Sequence, residues 1–287
     1  MILVTGATGH FGKTAIETLL AKGVKPAEIA ALVRNEAKAS ELSTKGIQLR
    51  IGDYDDYPSL VKAFTGINKL LLVSGSDIAN RSQQQANAVR AAKEAGVKYI
   101  LYTSFERKNN SDSSPIAAVA KAHIETEQAI KASGIPYTIF RNNLYMDFIP
   151  MFIGKTAPDN GIHIPAGDTR FTSALRSDMA EAAANVLLTD GHEGKEYTIA
   201  NTKSFSFNDV AETIGKVKGK TVLYSPSSEE YNKQLTNEGL PAEYIGMFSA
   251  FGESIRQGEF ETGKTDLPAL LGRQPVTLDE FLEKTYS

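Results

Sequence analysis

The strongest chemical signal in the sequence is a group of three glycines near its start. Gly6, Gly9 and Gly12 have the spacing G-x-x-G-x-x-G, between an apolar run at 2–5 and a helical pattern. In such a turn the first glycine permits a tight bend, the second lets a pyrophosphate approach the backbone, and the third lets the helix pack on the sheet. The helix N-terminus then favours phosphates. A glycine-rich turn without a ligand is the alternative, but we expect a dinucleotide to contact Gly6, Thr8, Gly9, His10, Phe11 and Gly12.

The residue that ends the second apolar run indicates which dinucleotide fits. Sites for NAD usually carry Asp or Glu about 20 residues after the glycines, where the acid bonds the ribose 2′-hydroxyl. Here that position is Arg34, whose planar guanidinium suits a 2′-phosphate, and no acidic residue precedes it in the run. The pattern favours NADP(H). NAD(H) stays open, because Arg34 could also be a solvated cation at a strand end.

Further cofactor contacts are expected where the third and fourth apolar runs end. Asp53 follows the third run and could accept a hydrogen bond from the adenine amino group, or it could cap the helix that follows. Val73, Ser74 and Gly75 end the fourth run. They should border the ribose nearest the nicotinamide, since ligands lie outside the carboxyl ends of parallel strands.

These residues require elements that bring the ends of several strands to one edge. Short apolar runs alternate with helical patterns, and glycines such as Gly134 close the helices as C′ residues do. Such alternation predicts an α/β fold with a Rossmann-like, doubly wound parallel sheet. The runs occupy residues 2–5, 28–34, 47–51, 69–75, 98–104 and 136–142.

The alternation of strands and helices becomes irregular after residue 142. We predict a dinucleotide-binding domain over 1–145, completed by roughly 174–200. The rest, 146–287, is predicted to be a smaller α/β substrate-binding annex that is interleaved with the end of the sheet. No internal repeat or low-complexity linker separates the two parts.

The composition limits the classes of function. The formal net charge is −3 with charges mixed along the chain, which argues against nucleic-acid binding. There is no cysteine, so disulfides, thiol catalysis and cysteine-bound metal are excluded. The start of the sequence lacks the features of a secretory signal, and no run approaches the roughly 18 apolar residues of a membrane helix. We expect a cytoplasmic protein without a membrane partner.

Several of these stretches together resemble the NmrA-like family of atypical short-chain dehydrogenases/reductases. The matching motifs are TGATGHFG, LVRN, GDYDD, KLLLVSG, HIETE and RNNLY, and the resemblance extends to the LLGRQPVTLDEF tail. Within the family the sequence is similar to the bacterial NAD(P)H:quinone oxidoreductase type 2 branch, itself similar to triphenylmethane reductase. The resemblance implies a Rossmann domain with a small C-terminal substrate domain. It also implies NADPH as the cofactor and a quinone, or another electron-poor conjugated molecule, as the acceptor.

The helix after the fifth run departs from better-known reductases of the wider superfamily. Those enzymes place Tyr-x-x-x-Lys there, and the Lys lowers the pKa of the Tyr that moves a proton. Here His123 and Glu127 occupy that i, i+4 pair, which puts alcohol oxidation and sugar epimerisation in doubt. We predict that His123 is catalytic, as a proton donor or as a hydrogen-bond partner of the acceptor oxygen. The alternative is a structural pair with Glu127, and two such groups without a third do not predict a metal site.

The segment after the sixth run supplies candidates for the acceptor site. Tyr145 and Phe148 lie in RNNLYMDF, and aromatic rings suit a flat acceptor by stacking. Tyr145 is also a candidate catalytic residue through its hydroxyl. Asn143 is predicted to contact the cofactor, and Phe105, after the fifth run, is predicted to contact the substrate. For any one of these aromatic side chains, packing between the two parts of the chain is the alternative.

Three functions compete at this point. A quinone needs little acid–base help because its phenolate-like product is stable, so direct hydride transfer from NADPH, without flavin or metal, is the first hypothesis. A non-catalytic NADP(H)-binding redox sensor of the NmrA type, which regulates a partner protein, is the alternative. A sugar-nucleotide epimerase follows only from the glycines. Under the first hypothesis the partner is a small quinone-like molecule, and the protein could be a monomer or a homodimer.

Overall fold

A single seven-stranded sheet forms the centre of the molecule in this computed structural model, which describes all 287 residues. The strands are β1 (Ile2–Val4), β2 (Ile29–Val33), β3 (Gln48–Ile51), β4 (Lys69–Leu72), β5 (Tyr99–Phe105), β6 (Tyr137–Asn142) and β7 (Lys195–Ile199). All neighbours are parallel, in the order β3-β2-β1-β4-β5-β6-β7. The first six strands lie within the predicted apolar runs, except that β5 extends one residue past its run, and β4 ends three residues before the end of its run. The predicted doubly wound α/β fold is confirmed.

Thirteen α-helices accompany the sheet. They are α1 (His10–Ala21), α2 (Ser40–Thr44), α3 (Tyr57–Phe64), α4 (Arg81–Glu94), α5 (Ala117–Ser133), α6 (Ile149–Ile153), α7 (Ala157–Asn160), α8 (Arg176–Leu188), α9 (Phe207–Lys218), α10 (Ser228–Asn237), α11 (Ala242–Arg256), α12 (Leu267–Leu271) and α13 (Leu278–Tyr286). Apolar residues of α1, α8 and α12 form the core on one face, and those of α3, α4 and α5 form the core on the other. None of the helices is both long and apolar enough to span a membrane.

A third apolar core lies outside the sheet. With the exception of Ile116, its buried residues follow Asn143 in the chain, and many of them lie in α6, α9, α11 and α13. By contrast, β7 and α8 pack with the sheet although they follow in the chain. This packing supports our proposal of a dinucleotide-binding part over 1–145, completed by about 174–200, and an annex formed by the rest of 146–287. The exception is α12, because its Leu267 and Leu271 pack in the core with α1 and α8.

The strand order reverses between β1 and β4. From β1 the chain builds outward through β2 and β3, and it then returns to place β4 on the other side of β1. The carboxyl ends of all the strands meet at one edge because the sheet is parallel. Ligands of open α/β sheets bind in the crevice outside that edge at the point of reversal. The fold therefore places the site at the loops that follow β1, β4, β5 and β6.

Candidate active site

The turn after β1 has the geometry that its glycines predict. Gly6 adopts the left-handed conformation with φ of 58°, which an L side chain rarely adopts. A Cβ on Gly12 would lie 2.4 Å from the Gly6 carbonyl oxygen, so only glycine lets α1 start this close to the turn. Gly9 is the N-cap of α1 and brings no side-chain cap, and no acidic residue occupies the first turn. The N–H groups there are free to bind an anion.

The other residues predicted for this turn divide into two groups. Thr8, Gly9 and His10 are exposed. Phe11 is buried in the core between α1 and the sheet, so it has only its backbone N–H to offer a ligand. His10 lies at 3.8 Å, Nε2 to Oδ1, from Asp147 in the segment after β6. That contact brings the annex against the turn.

The loop after β4 forms the wall opposite the turn. The Val73 N–H donates to Thr5 Oγ1 at 2.8 Å, and the Ser74 N–H donates to Thr103 Oγ1 at 2.9 Å. A Cβ on Gly6 would lie 3.3 Å from the Val73 side chain. The hydroxyls of β1 and β5 thus hold this loop beside the glycine turn, and Gly75 follows in the same partly exposed stretch.

The ends of β2 and β3 carry the remaining predicted cofactor residues. Arg34 is exposed directly after β2 and has no partner in the protein. Asp53 accepts a hydrogen bond from the Asp55 N–H at 3.1 Å. The cap of α3 is Asp56, which accepts from the Ser59 N–H at 3.3 Å. The alternative interpretation of Asp53 as the helix cap is therefore wrong, and its carboxylate stays at the edge of the sheet.

Aromatic side chains make one continuous series of ring contacts on the annex side. The ring centroids of successive members are 5.7, 6.4, 5.9, 6.0 and 5.4 Å apart. Three members are predicted acceptor contacts, and Phe251 of α11 is new, because nothing marks it among the aromatic residues of the C-terminal third. The members of this aromatic series, in order of contact, are His123, Phe105, Phe251, Phe152, Phe148 and Tyr145.

Arg176, at the start of α8, lies against one end of the aromatic series. Its guanidinium carbon is 5.6 Å from the centre of the Tyr145 ring and 4.8 Å from that of Phe148. Its backbone N–H donates to Asp147 Oδ2 at 2.8 Å. Because a cation is attracted to the face of an aromatic ring, Arg176 helps to orient the Tyr145 end of the series.

His123 forms the other end of the series and is 4% exposed. Its Nε2 lies 3.3 Å from Arg81 Nη1, and its Nδ1 lies 2.8 Å from the Tyr102 hydroxyl oxygen. A guanidinium only donates, so we assign the proton to Nδ1, which donates to Tyr102; the Tyr102 hydroxyl in turn donates to Gln85 Oε1 at 2.9 Å. Burial, with the charges of Arg81 and Arg107, lowers the pKa of His123 to about 3. The imidazole is neutral.

Glu127 does not pair with His123, so that alternative is wrong. It accepts hydrogen bonds from Ser104, from Arg107 Nη1 at 3.1 Å and from Arg141 Nη2 at 2.9 Å. Burial opposes its charge, but the hydrogen bonds from Arg141, Ser104 and Arg107 outweigh burial and hold its pKa at about 2. Where related reductases carry a lysine, this protein has a buried anion that ties α5 to β6 and to the loop after β5.

Two neighbouring asparagines at the end of β6 differ in their bonding. Asn143 donates to Thr172 Oγ1 at 3.1 Å and to the Phe260 carbonyl at 3.2 Å, and its Oδ1 accepts from the Leu144 N–H. Its amide is thus occupied within the annex, and its predicted cofactor contact stays a prediction. Asn142 is 1% exposed and neither its Oδ1 nor its Nδ2 has a partner. Of the two, Asn142 has the free amide beside the site.

The structure contains no group of three or more His, Asp or Glu side chains placed to hold a metal ion. It brings the glycine turn, the loop after β4, His123, Phe105, Tyr145 and Phe148 to one edge of the sheet. Sequence analysis missed Arg81 and Asn142, which lie among these residues. The usable signal for Arg81 was its position at the first turn of the helix after the fourth strand, next to the strand-order reversal.

Comparison with known proteins identifies the family. The model of the NmrA-like family matches residues 1–282. The chain belongs to the NmrA-like family. Among NmrA-like relatives, quinone oxidoreductase 2 of Escherichia coli is 40% identical over 291 residues, which cover 100% of this chain and 99% of that protein.

Solved structures of NmrA-like reductases share the whole fold. The Citrobacter triphenylmethane reductase in complex with NADP(H) superposes with a TM-score of 0.92 at 38% identity, covering 100% of both chains. The NADPH-dependent quinone oxidoreductase of Escherichia coli in complex with NADPH also gives a TM-score of 0.92, at 37% identity and 100% coverage of both chains. Both likenesses span the sheet and the annex together.

Proposed function

We propose that this protein is an NADPH-dependent quinone reductase, in which hydride passes directly from the nicotinamide to a quinone or a similar electron-poor conjugated acceptor. The observation that carries the proposal is the placement of the aromatic series beside the glycine turn, at the edge where the strand order reverses. The relative with 40% identity over the whole chain is itself a quinone oxidoreductase. Together they favour a redox reaction on a flat acceptor.

The residues at the cofactor side fit a 2′-phosphorylated dinucleotide. The uncapped N-terminus of α1 and the close-packed glycines leave room and N–H groups for a pyrophosphate. The exposed Arg34 after β2 is proposed to bind the 2′-phosphate, and Asp53 is proposed to accept a hydrogen bond from the adenine amino group. Bound NADPH supplies the hydride, and we propose that the chain uses neither flavin nor metal, with NADH as a weaker alternative.

The acceptor side fits a reaction that needs no acid–base pair. Stacking on the aromatic series would hold a flat ring in near-attack geometry. His123 is neutral and fully hydrogen-bonded, and no Tyr/Lys pair is present. An acceptor whose reduced form is a stable phenolate can be reduced without an acid–base pair, since its proton can come later from water. Tyr145 carries the one phenolic hydroxyl of the series; burial raises its pKa, and the Asn142 side chain beside it opposes that rise.

The test is anaerobic mixing of the protein with NADPH and a benzoquinone, followed by the loss of reduced-nicotinamide absorbance. We expect turnover with several quinones and with 1:1 stoichiometry. Tight NADP⁺ binding without turnover of any quinone would instead favour the redox-sensor alternative, which the lack of a free acid also fits. We place the reaction in the cytoplasm, with a small molecule as the only partner; a monomer and a homodimer both remain compatible with it.

Arg34→Ala tests the cofactor assignment separately. Loss of a charge-assisted bond to the 2′-phosphate should weaken NADPH binding roughly tenfold while NADH binding stays unchanged. Lys38→Ala, an exposed cation four residues further along, is the control and should change neither affinity. Equal losses for NADPH and NADH would remove Arg34 from the 2′-phosphate site.

A further inference from the structure

Arg81 is a buried cation without an anion. It is 8% exposed, its Nε has no hydrogen-bond partner, and its Nη1 meets only the neutral His123. Asp77, in the loop before α4, attracts the guanidinium from a distance without forming an ion pair. The other buried arginine nearby, Arg107, is paired with Glu127 at 3.1 Å. Burying an unpaired charge is costly, so such a group persists where a ligand supplies its partner.

The position of Arg81 points to that ligand. It is the first residue of α4 and follows the loop that forms one wall of the cofactor site. His123, which it contacts, stacks on Phe105 at one end of the aromatic series. Its charge also acts on the hydroxyl of Tyr145, at the other end. The guanidinium thus lies at the His123 end of the series, where it would meet the polar edge of an acceptor stacked on Phe105.

We propose that Arg81 is a catalytic residue that binds the carbonyl oxygen of the acceptor and stabilises the negative charge that develops there during hydride transfer. This inference rests on the proposed function. The acceptor gains one hydride and is reduced by two electrons, and bound NADPH is left as NADP⁺. The electron pair displaced from the conjugated system settles on the carbonyl oxygen, and the oxyanion then takes one proton from water. A preorganised donor facing such an oxygen is effective because it needs no reorientation.

His123 acts through Arg81 and is a positioning residue. Its Nε2 accepts from the guanidinium, while its Nδ1–H is engaged by Tyr102, which is itself held by Gln85. Gln85 Nε2 donates to Thr126 Oγ1 at 2.9 Å, and Thr126 donates to the Ala122 carbonyl. The Nδ1 proton of His123 and the hydroxyl protons of Tyr102 and Thr126 each have an acceptor inside the protein. The network can orient Arg81, but it has no proton to give.

Binding of 4-nitrophenol tests the assignment without turnover. Its phenolate absorbs in the visible, so titration with the NADP⁺-loaded protein at several pH values yields the affinities of the phenol and phenolate forms. We expect the ratio of phenolate affinity to phenol affinity to be at least about tenfold higher for the wild type than for Arg81→Met. The ratio for Arg81→Lys should lie between the two. Arg90→Met makes the same change on the exposed face of the same helix and should behave as wild type. An equal preference in wild type and Arg81→Met, or no binding to either, overturns the proposal.

Stability and single-turnover kinetics separate a catalytic role from a structural one. Because it removes an unpaired buried charge, Arg81→Met should unfold at the same or a higher temperature than the wild type. Its hydride-transfer rate should fall roughly 100-fold with unchanged NADPH affinity. A lower unfolding temperature with an unchanged rate would make Arg81 structural. If the wild type reduces no quinone, the proposed function fails, while the nitrophenol result still decides what Arg81 binds.

Discussion

The glycine turn and the aromatic series meet at one edge of the sheet, but they present different parts of the chain to a ligand. The turn offers backbone N–H groups, and its key residues matter because they lack side chains. The acceptor side consists of side chains from β5, α4, α5, α11 and the segment after β6. A short local motif suffices for the first, whereas the second depends on contacts between distant segments.

The difference extends to charge. On the proposed cofactor side, the cation Arg34 is exposed. The acceptor side buries the side chain of Arg107 and places Glu127 against it and against the half-buried Arg141. Replacing one member of an ion pair on the acceptor side should therefore destabilise the charged groups bound to it, whereas replacing Arg34 should not.

The largest expected effect is on stability, from Glu127→Gln. It leaves the buried Arg107 without a counterion, so the free energy of unfolding should fall by about 3–5 kcal/mol. Urea denaturation measures the change. Glu125→Gln, on the exposed face of α5 with only Lys121 at 3.9 Å, should stay within about 0.5 kcal/mol of the wild type. Similar losses for both variants would mean that the buried network does not support the acceptor side.

Next in size is Gly12→Ala, on the cofactor side. The new Cβ would clash with the Gly6 carbonyl, so the turn must open at a cost of about 1–3 kcal/mol and the phosphate site is distorted. We expect NADPH affinity, measured by calorimetry, to drop at least about tenfold. Gly246→Ala is the matched helical control, since a Cβ there meets nothing within 4 Å. Should both variants bind NADPH as the wild type does, the close approach at Gly12 is not what shapes the site.

A smaller effect is expected from Phe251→Leu. Loss of one stacking ring should cost about 0.5–1.5 kcal/mol, which appears as a rise of a few-fold in KM for the quinone. The KM for NADPH should not change, because Phe251 lies on the acceptor side only. Tyr244→Leu on the same helix, where the ring is 48% exposed, is the control. A rise in the KM for NADPH instead would contradict the separation of the two sides.

The smallest expected effect is that of pH on hydride transfer. The pKa of His123 lies near 3 and that of Glu127 near 2, while burial raises the pKa of Tyr102 and Tyr145 above the ordinary value. Arg81 and Arg107 are the cations whose charges act on His123. Single-turnover rates should therefore vary by less than about twofold between pH 6.5 and 9. A tenfold fall with rising pH and an apparent pKa near 7 would restore His123 as the proton donor.

The same groups set the response of stability to acid. The folded pKa of His123 lies below its ordinary value, so its neutral form stabilises the folded state above about pH 6.5, and this contribution is lost as the pH falls toward 3. Glu127 likewise contributes fully above its ordinary pKa of 4.5 and loses that contribution as the pH falls toward 2. The acceptor side should thus lose its packing in acid before the glycine turn does.

The two sides also differed in how well they could be predicted. Gly6, Gly9 and Gly12 specify their turn within seven residues, and the apolar runs specify the strands, because both depend on local spacing. The spacing along α5 made a structural pair of His123 with Glu127 the alternative to a catalytic His123. In the structure Glu127 binds Arg107 and Arg141, because two guanidiniums compensate a buried carboxylate better than a neutral imidazole does. The i, i+4 spacing along one helix cannot predict contacts with cations that come from other strands and loops.

From the order of its residues alone, this chain specifies a doubly wound sheet and a close-packed glycine turn after β1. Backbone conformation and strand packing follow from glycine positions and apolar periodicity, which act over a few residues. Folding in three dimensions determined the contact of Arg81 with His123, 42 residues away, the free amide of Asn142, and the addition of Phe251 to the aromatic series. Those features depend on which groups are left without a partner once the core has packed, and only the whole set of contacts decides that.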